Sequence, residues 1–185
     1  MINNYKKIAL SVAKGFTLIE TLVAVLLLAS AIAGPLTIAA KGLNTSLTAK
    51  DQVAAFYIAQ DALEYVRFKR DTNKLSGGSW LNGIVGSGLC SADGATKCIV
   101  DSLQDTVTAC MGTNGACPVL KYDSTNHYYS YTTGTVSPER YVRTVQITTP
   151  VGGNVSEAAL QVTVAWTGAG GIVHSVVVRE NLYDW

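Results

Sequence analysis

A single carboxylate lies near the start of a long apolar stretch. Between residues 16 and 40, Glu20 is the one ionisable side chain, and the remaining side chains are aliphatic, aromatic, small or hydroxyl-bearing. Placing a lone charge in hydrocarbon is expensive, so a carboxylate in such a stretch usually has a function and a cationic partner. The chemistry expected of Glu20 is therefore the pairing of charges in a water-free environment.

The apolar stretch predicts a membrane-spanning helix. About 20 apolar residues suffice to cross the roughly 30 Å hydrocarbon core of a bilayer. Three basic side chains precede it: Lys6, Lys7 and Lys14. They predict a cytoplasmic N-terminal end and an extracytoplasmic C-terminal part, with a single pass through the cytoplasmic (inner) membrane. Gly34 and Pro35 interrupt the run, and because proline removes a helical hydrogen bond, we expect a kink or local melting over residues 31–36.

Residues 14–22, with the letters KGFTLIETL, resemble the processing motif of type IV prepilins and of the pseudopilins of type II secretion. The resemblance implies a cut between Gly15 and Phe16 by prepilin peptidase, followed by methylation of the new Phe16 amine. It also implies that the Glu20 carboxylate meets the Phe16 amine of a neighbouring subunit during filament assembly. A paired carboxylate in a dry filament core costs far less than a lone one, which agrees with that role.

The same resemblance implies four kinds of partner: the peptidase, other pilin or pseudopilin subunits, an inner-membrane assembly platform and, before assembly, membrane lipid. The chain would move from the inner membrane into a pilus (fimbrium) or pseudopilus.

An ordinary secretory signal peptide is the competing interpretation of the N-terminal segment, since residues 29–31 (ASA) offer a small-x-small cleavage site. Glu20 inside the apolar region, and a helical pattern that continues past residue 31, argue against it.

The second half of the predicted helix is amphipathic and is expected to end at about Arg70, before Asn73 and the Gly77–Gly78 pair. Its apolar positions recur at steps of three and four residues. They are Leu43, Leu47, Ala54, Ile58, Ala62 and Val66, flanked by Ala55, Ala59 and Leu63, and the stripe is interrupted once, at Lys50 or Asp51. The predicted organisation is a leader (1–15), a transmembrane and assembly half of the helix (16–40), an amphipathic half (41–71), a loop region rich in glycine and cysteine (72–127) and an antiparallel sheet (128–185).

Alternating apolar residues predict the strands of the C-terminal third. A short aromatic strand is expected at 128–131, and longer strands at 141–147, 160–166 and from 172 onwards. The short connections at 150–154 and 167–171 imply antiparallel neighbours. The apolar face of residues 160–166 is expected to receive the helical stripe, which predicts an α+β fold with one long helix on an antiparallel meander.

Four cysteines follow the apolar stretch, in a part that the charge bias places in an oxidising compartment. They are Cys90, Cys98, Cys110 and Cys117. Three pairings are possible, and we favour Cys90–Cys98 with Cys110–Cys117, because each would close a short loop that contains glycine. Zinc is the weaker alternative, since no C-x-x-C occurs and His127 and His174 are not spaced as its ligands.

The rest of the sequence predicts neither an enzyme nor a cofactor. It contains no nucleophile elbow, no metalloprotease motif and no dinucleotide or phosphate-loop fingerprint. Without the three leader lysines, 11 basic residues remain against 13 acidic ones, a formal charge of −2. Nucleic acid is therefore not expected as a main partner, because it usually needs a clustered basic face.

Residues 60–67, 141–145 and 162–166 are similar in layout to PilV-type minor pilins and, next, to the I-type minor pseudopilins. The resemblance therefore implies a minor pilin, with a type II secretion minor pseudopilin as the alternative within the family. Two further classes stay open at this stage: a membrane-anchored or secreted adhesin or binding module that does not polymerise, and an enzyme released by signal peptidase.

Overall fold

The structure, a computed structural model, describes residues 15–150 and 156–185. It has one long helix followed by strands that form a five-stranded and a three-stranded antiparallel sheet, which confirms the predicted α+β class. The chain divides into two compact units, Met1–Asn44 and Thr45–Trp185, and the helix contributes to both. The elements are α1 (Leu18–Leu75), β1 (Cys98–Asp101), β2 (Thr106–Ala109), β3 (Lys121–Asp123), β4 (Tyr128–Ser130), β5 (Thr135–Val136), β6 (Val142–Thr148), β7 (Glu157–Thr167) and β8 (Val173–Tyr183).

Helix α1 ends where two glycines allow the backbone to turn. The Gly77 N–H donates to the Lys74 carbonyl and the Gly78 N–H to the Asn73 carbonyl, and Gly77 has a φ of 72°. This is a Schellman cap, which satisfies the last helical carbonyls and favours glycine at the left-handed position. The predicted end near Arg70 is about a turn too early, whereas Asn73 and the Gly77–Gly78 pair, which the sequence offered as the stop, do form the cap.

Within the Thr45–Trp185 unit, one face of α1 is buried in the core. Its buried side chains are Ala55, Ile58, Ala59, Ala62, Leu63, Tyr65 and Val66. The inward face of β7, at Leu160, Val162, Val164 and Trp166, belongs to the same hydrophobic core. The predicted packing of the helix on the antiparallel sheet is confirmed, and the Ile58, Ala62 and Val66 positions of the stripe share one core with β7. Leu43 and Leu47, 63% and 45% exposed, do not belong to the buried face, and Ala54 lies at its edge.

The larger sheet has the strand order β2-β1-β6-β7-β8. Strands β6, β7 and β8 form the predicted meander, with Val145 opposite Val162 and Val162 opposite Val178. A one-turn 3-10 helix at Ala169–Gly171 connects β7 to β8, where a turn was predicted. Residues 151–154 of the other predicted turn lie outside the described residues.

The 72–127 region contains more regular structure than predicted. Strands β1 and β2 form a hairpin, and β1 joins the larger sheet where Cys98 lies opposite Val145 of β6. The aromatic strand predicted at 128–131 is β4, which pairs with β3 in the separate sheet β4-β3-β5. A glycine-rich stretch thus contributes both an edge of the main sheet and part of a second one.

Candidate functional site

The predicted cleavage position, Gly15–Phe16, lies just before α1 and outside any helix. Both residues are exposed, and Phe16 shows 80% of its surface. A peptidase must bind a substrate backbone whose N–H and C=O groups are not locked in a helix, so this position is chemically accessible. The three leader lysines, Lys6, Lys7 and Lys14, lie outside the described residues.

Thr17 is the residue that starts the helix. Its Oγ1 accepts a hydrogen bond from the Glu20 N–H at 3.3 Å, which is an N-cap with an acidic residue three positions later. The order Thr17, then Glu20, also places a carboxylate at the positive end of the helix dipole. Glu20 therefore has a local structural role in addition to the predicted intermolecular one, and the spacing Thr-x-x-Glu was a signal for it.

The Glu20 side chain is not covered by protein. It is exposed and, within residues 15–150 and 156–185, forms no ion pair. The hydroxyl groups of the apolar stretch are instead satisfied internally: Thr21, Ser30 and Thr37 each donate to the carbonyl three residues earlier. Glu20 is thus the side chain of this stretch that requires a partner from elsewhere.

The apolar part of α1 is exposed along its whole length. Every residue from 15 to 47 is exposed, and in the most apolar 18-residue window the mean hydropathy is 2.3 with none of the window buried. This helix is long and apolar enough to span a membrane. A helix that is apolar on all sides and has no protein cover needs lipid or other apolar helices around it.

Gly34 and Pro35 do not interrupt α1. The helix is continuous from Leu18 to Leu75 with Pro35 inside it, so the local melting considered for residues 31–36 does not occur. Pro35 has no N–H to donate to the carbonyl four residues earlier, at Ala31, which leaves that acceptor without its usual helical donor. A kink at this position stays a prediction.

The two disulfides are Cys90–Cys98 and Cys110–Cys117, the pairing favoured from the loop lengths. Cys90 and Cys98 are fully buried in the core and attach the loop after α1 to β1. The second disulfide closes an exposed loop around the one-turn 3-10 helix Thr113–Gly115. Each bond closes a short loop in a region with few buried apolar side chains, which is where cross-links add most order.

Arg143 is the structurally central residue that the sequence analysis missed. Arg143 is 2% exposed, and its guanidinium contacts both the helix and the sheet. Nη1 donates to the Ile58 carbonyl at 2.9 Å and to the Asp61 carboxylate at 2.5 Å, and Nη2 donates to the Val100 carbonyl. One side chain on β6 therefore links α1 to β1 and satisfies polar groups that the core would otherwise leave unpaired.

The surroundings keep Arg143 charged. Burial by itself lowers the pKa of the guanidinium, but Tyr131 and Asp61 outweigh burial and leave that pKa raised. The Tyr131 ring lies 5.8 Å from the guanidinium carbon, within the range of a cation–π contact, and burial raises the pKa of its hydroxyl. The charge is thus held by a carboxylate, two backbone carbonyls and an aromatic face.

Each of the two histidines contacts an aromatic side chain. His127 is in the exposed turn between β3 and β4, and its Nδ1 lies 2.9 Å from the Tyr122 hydroxyl. His174 on β8 stacks on Trp166 with 5.4 Å between the ring centroids. In the part of the chain that the structure describes, no group of three or more His, Cys, Asp or Glu side chains is placed to hold a metal ion.

Comparison of the chain with protein-family models, with curated proteins and with solved structures finds no match.

Proposed function

We propose that this chain is a type IV pilin-like filament subunit, in the role of a minor pilin. It is synthesised as a prepilin, held in the cytoplasmic membrane by the first half of α1, and cut after Gly15. The C-terminal unit lies outside the cytoplasm, and α1 then leaves lipid to pack against the helices of other subunits.

The observation that carries the proposal is the exposed apolar start of α1, with one carboxylate in its first turn and a non-helical Gly15–Phe16 bond directly before it. The apolar half of α1 is exposed on all sides, so either lipid or the helices of neighbouring subunits can surround it. Because lipid tails and such helices are similarly apolar, the helix can exchange one for the other. A simple anchor needs no carboxylate there, and the cost of burying Glu20 argues that it gains a cation in the assembled state.

Cleavage would supply that cation. The new Phe16 amine is positively charged and lies at the positive end of the α1 dipole, where a cation is unfavourable without a nearby anion. The Glu20 carboxylate of an adjacent subunit is such an anion, and its pairing with the amine would fix the axial register between helices. Apolar contact between the helices supplies most of the cohesion, because it extends along the whole stretch.

Two disulfides in the C-terminal unit support the proposed topology. Such bonds persist outside the cytoplasm and are rare inside it, and the leader lysines predict the same orientation. The cross-linked unit would travel on the outer surface of the filament.

The assembly role is tested by comparing Glu20→Ala with Thr21→Ala in cells that make the filament. Thr21 is the matched control, because it lies in the same turn and its hydroxyl bonds to its own helix at Leu18. With equal protein levels and processing, Glu20→Ala is expected to lower the amount of this subunit in sheared filaments strongly, whereas Thr21→Ala leaves it unchanged. Normal incorporation of the Glu20→Ala protein would contradict the role given to the carboxylate.

A further inference from the structure

A groove with aromatic walls opens on the surface of the Thr45–Trp185 unit. It lies between α1, the turn after β1 and the start of β4, and has a volume of about 380 Å³, within the size range of small-ligand sites. Its lining includes Tyr57, Asp61, Ser102, His127, Tyr129 and Arg143.

The aromatic side chains of the groove differ in how they are held. Tyr57 on α1 is 66% exposed, so much of its ring is open to a ligand. Tyr129 on β4 is held from behind by Tyr141, at 5.5 Å between centroids, and by Tyr122 at 5.0 Å. The groove therefore combines one accessible ring with one that is already fixed, which lowers the entropy that a ligand must remove on binding.

Polar groups are concentrated at one side of the groove. The Asp61 carboxylate accepts hydrogen bonds from Arg143 Nη1 and from Ser102 Oγ, yet 44% of this side chain is still exposed. His127 uses Nδ1 toward Tyr122, and its Nε2 has no hydrogen bond among the described residues. The Asp61 carboxylate can therefore accept further hydrogen bonds from a ligand, and the His127 Nε2 can form one. Both groups lie beside the apolar faces of the tyrosine rings.

The charges of the lining select the class of ligand. Asp61 and Arg143 are paired, so the lining carries no net formal charge, and the guanidinium is too deeply buried to receive an anion. A phosphate or sulfate would meet the Asp61 carboxylate without an accessible cation to balance it. An uncharged ligand with an apolar face and several hydroxyl groups at its rim matches both the rings and the polar side.

We infer that this groove binds a neutral saccharide, with the C–H face of a pyranose ring on Tyr57 and its hydroxyl groups toward Asp61 and His127. Sugar hydroxyls both donate and accept, so they can bond to the carboxylate, which only accepts, and to the imidazole nitrogen in either tautomer. The inference concerns the C-terminal unit alone and holds whether or not the chain forms filaments.

The test uses the full chain in lipid nanodiscs free of glycolipid, because sugar-headed detergents would occupy the groove. Saturation-transfer NMR is recorded with a panel of four probes: glucose, galactose, mannose and N-acetylglucosamine. The expected result is saturable binding of at least one of them, with Tyr57→Ala lowering the affinity about tenfold and Tyr57→Phe, which keeps the ring, changing it by less than about twofold.

Phe68→Ala is the matched control, since Phe68 is an exposed aromatic residue of the same helix, 63% exposed and outside the groove. It is expected to bind the sugar as the wild-type chain does. The inference is overturned if no panel member binds saturably, if Phe68→Ala and Tyr57→Ala reduce binding equally, or if an aromatic-rich peptide saturates the groove whereas the sugars do not.

Discussion

Arg143 on β6 donates to the Asp61 carboxylate on α1 across 82 positions of sequence, at 2.5 Å, and the same guanidinium bonds to the Val100 carbonyl of β1. This relationship joins the helix, the middle of the sheet and the hairpin that extends it. Val100 is fully buried, so its carbonyl cannot turn to water when the guanidinium is removed unless the strand moves, whereas the 44% exposed Asp61 side chain can.

Replacing Arg143 with Met keeps most of its length and removes its hydrogen bonds. The buried Val100 carbonyl loses its side-chain donor, whereas the half-exposed Asp61 can still be solvated, so we expect the free energy of unfolding to fall by about 2 to 4 kcal/mol. Denaturant unfolding of the full chain in micelles, followed by tryptophan fluorescence, measures the change.

The control for that measurement is Arg179→Met. Arg179 is exposed on β8, where its Nε bonds to Gln161, and its loss is expected to change the free energy of unfolding by less than about 0.5 kcal/mol. Equal effects of the two substitutions would show that burial of the Arg143 guanidinium has no special energetic consequence.

Most of the fold follows from local patterns. The alternation at 160–166 identifies β7 and its inward face, and the four-residue steps at Ile58, Ala62 and Val66 identify the buried face of α1. Short connections then require antiparallel neighbours. These features are local in sequence, so they can be predicted without the tertiary structure.

Two features depend on contacts between distant residues and were missed. The sequence had a signal for Arg143, which shares the inward parity of Tyr141, Val145 and Ile147 on β6, but nothing local identifies its partner. The hairpin β1–β2 lies in a glycine-rich region whose composition resembles a loop, and the larger sheet gains it through the pairing of Cys98 with Val145, which is distant in sequence. The alternation of inward and outward residues along a strand, and the composition of a segment, do not identify contacts between distant residues. The folded structure does.

Removing either disulfide is expected to lower stability to a similar extent by chain entropy. The bonds span 8 and 7 residues, which corresponds to about 2 to 3 kcal/mol for each in the loop-closure model. Replacing Cys90 and Cys98 together with Ala is expected to cost more than replacing Cys110 and Cys117, because only the first pair fills the core.

Two measurements check the disulfide prediction: paired unfolding curves of the two double variants, and the intact mass before and after reduction. A mass that rises by the hydrogens of four cysteines supports both bonds. An unchanged mass, or a smaller loss of stability for the Cys90 and Cys98 variant, would contradict it.

Tyr65 on α1 makes stability sensitive to high pH. Burial, and then its hydrogen bond to Asp105 at 2.8 Å, raise the pKa of the Tyr65 hydroxyl well above 10 in the folded chain. The unfolded chain then loses this proton first, so stability is complete below about pH 10 and falls as the pH rises toward the folded pKa. Tyr65→Phe removes this contribution, and the free energy of unfolding should decline less steeply between pH 9 and pH 11.

The comparison for Tyr65→Phe is Tyr57→Phe, which alters an exposed tyrosine of the same helix and should keep the alkaline slope of the wild-type chain. Unfolding curves at a series of pH values decide between them. If Tyr65→Phe and the wild-type chain lose stability in parallel above pH 10, the hydroxyl is not held neutral by the fold.

In the proposed function, a peptidase cuts the bond between Gly15 and Phe16 and so leaves a free amine on Phe16. The identity of the mature N-terminus tests this step most directly. Mass spectrometry of the chain from cells that contain prepilin peptidase should show a first residue of N-methylated phenylalanine at position 16. A chain that keeps residues 1–15 in those cells, or one that starts between residues 32 and 34 after cleavage by signal peptidase, would contradict the account.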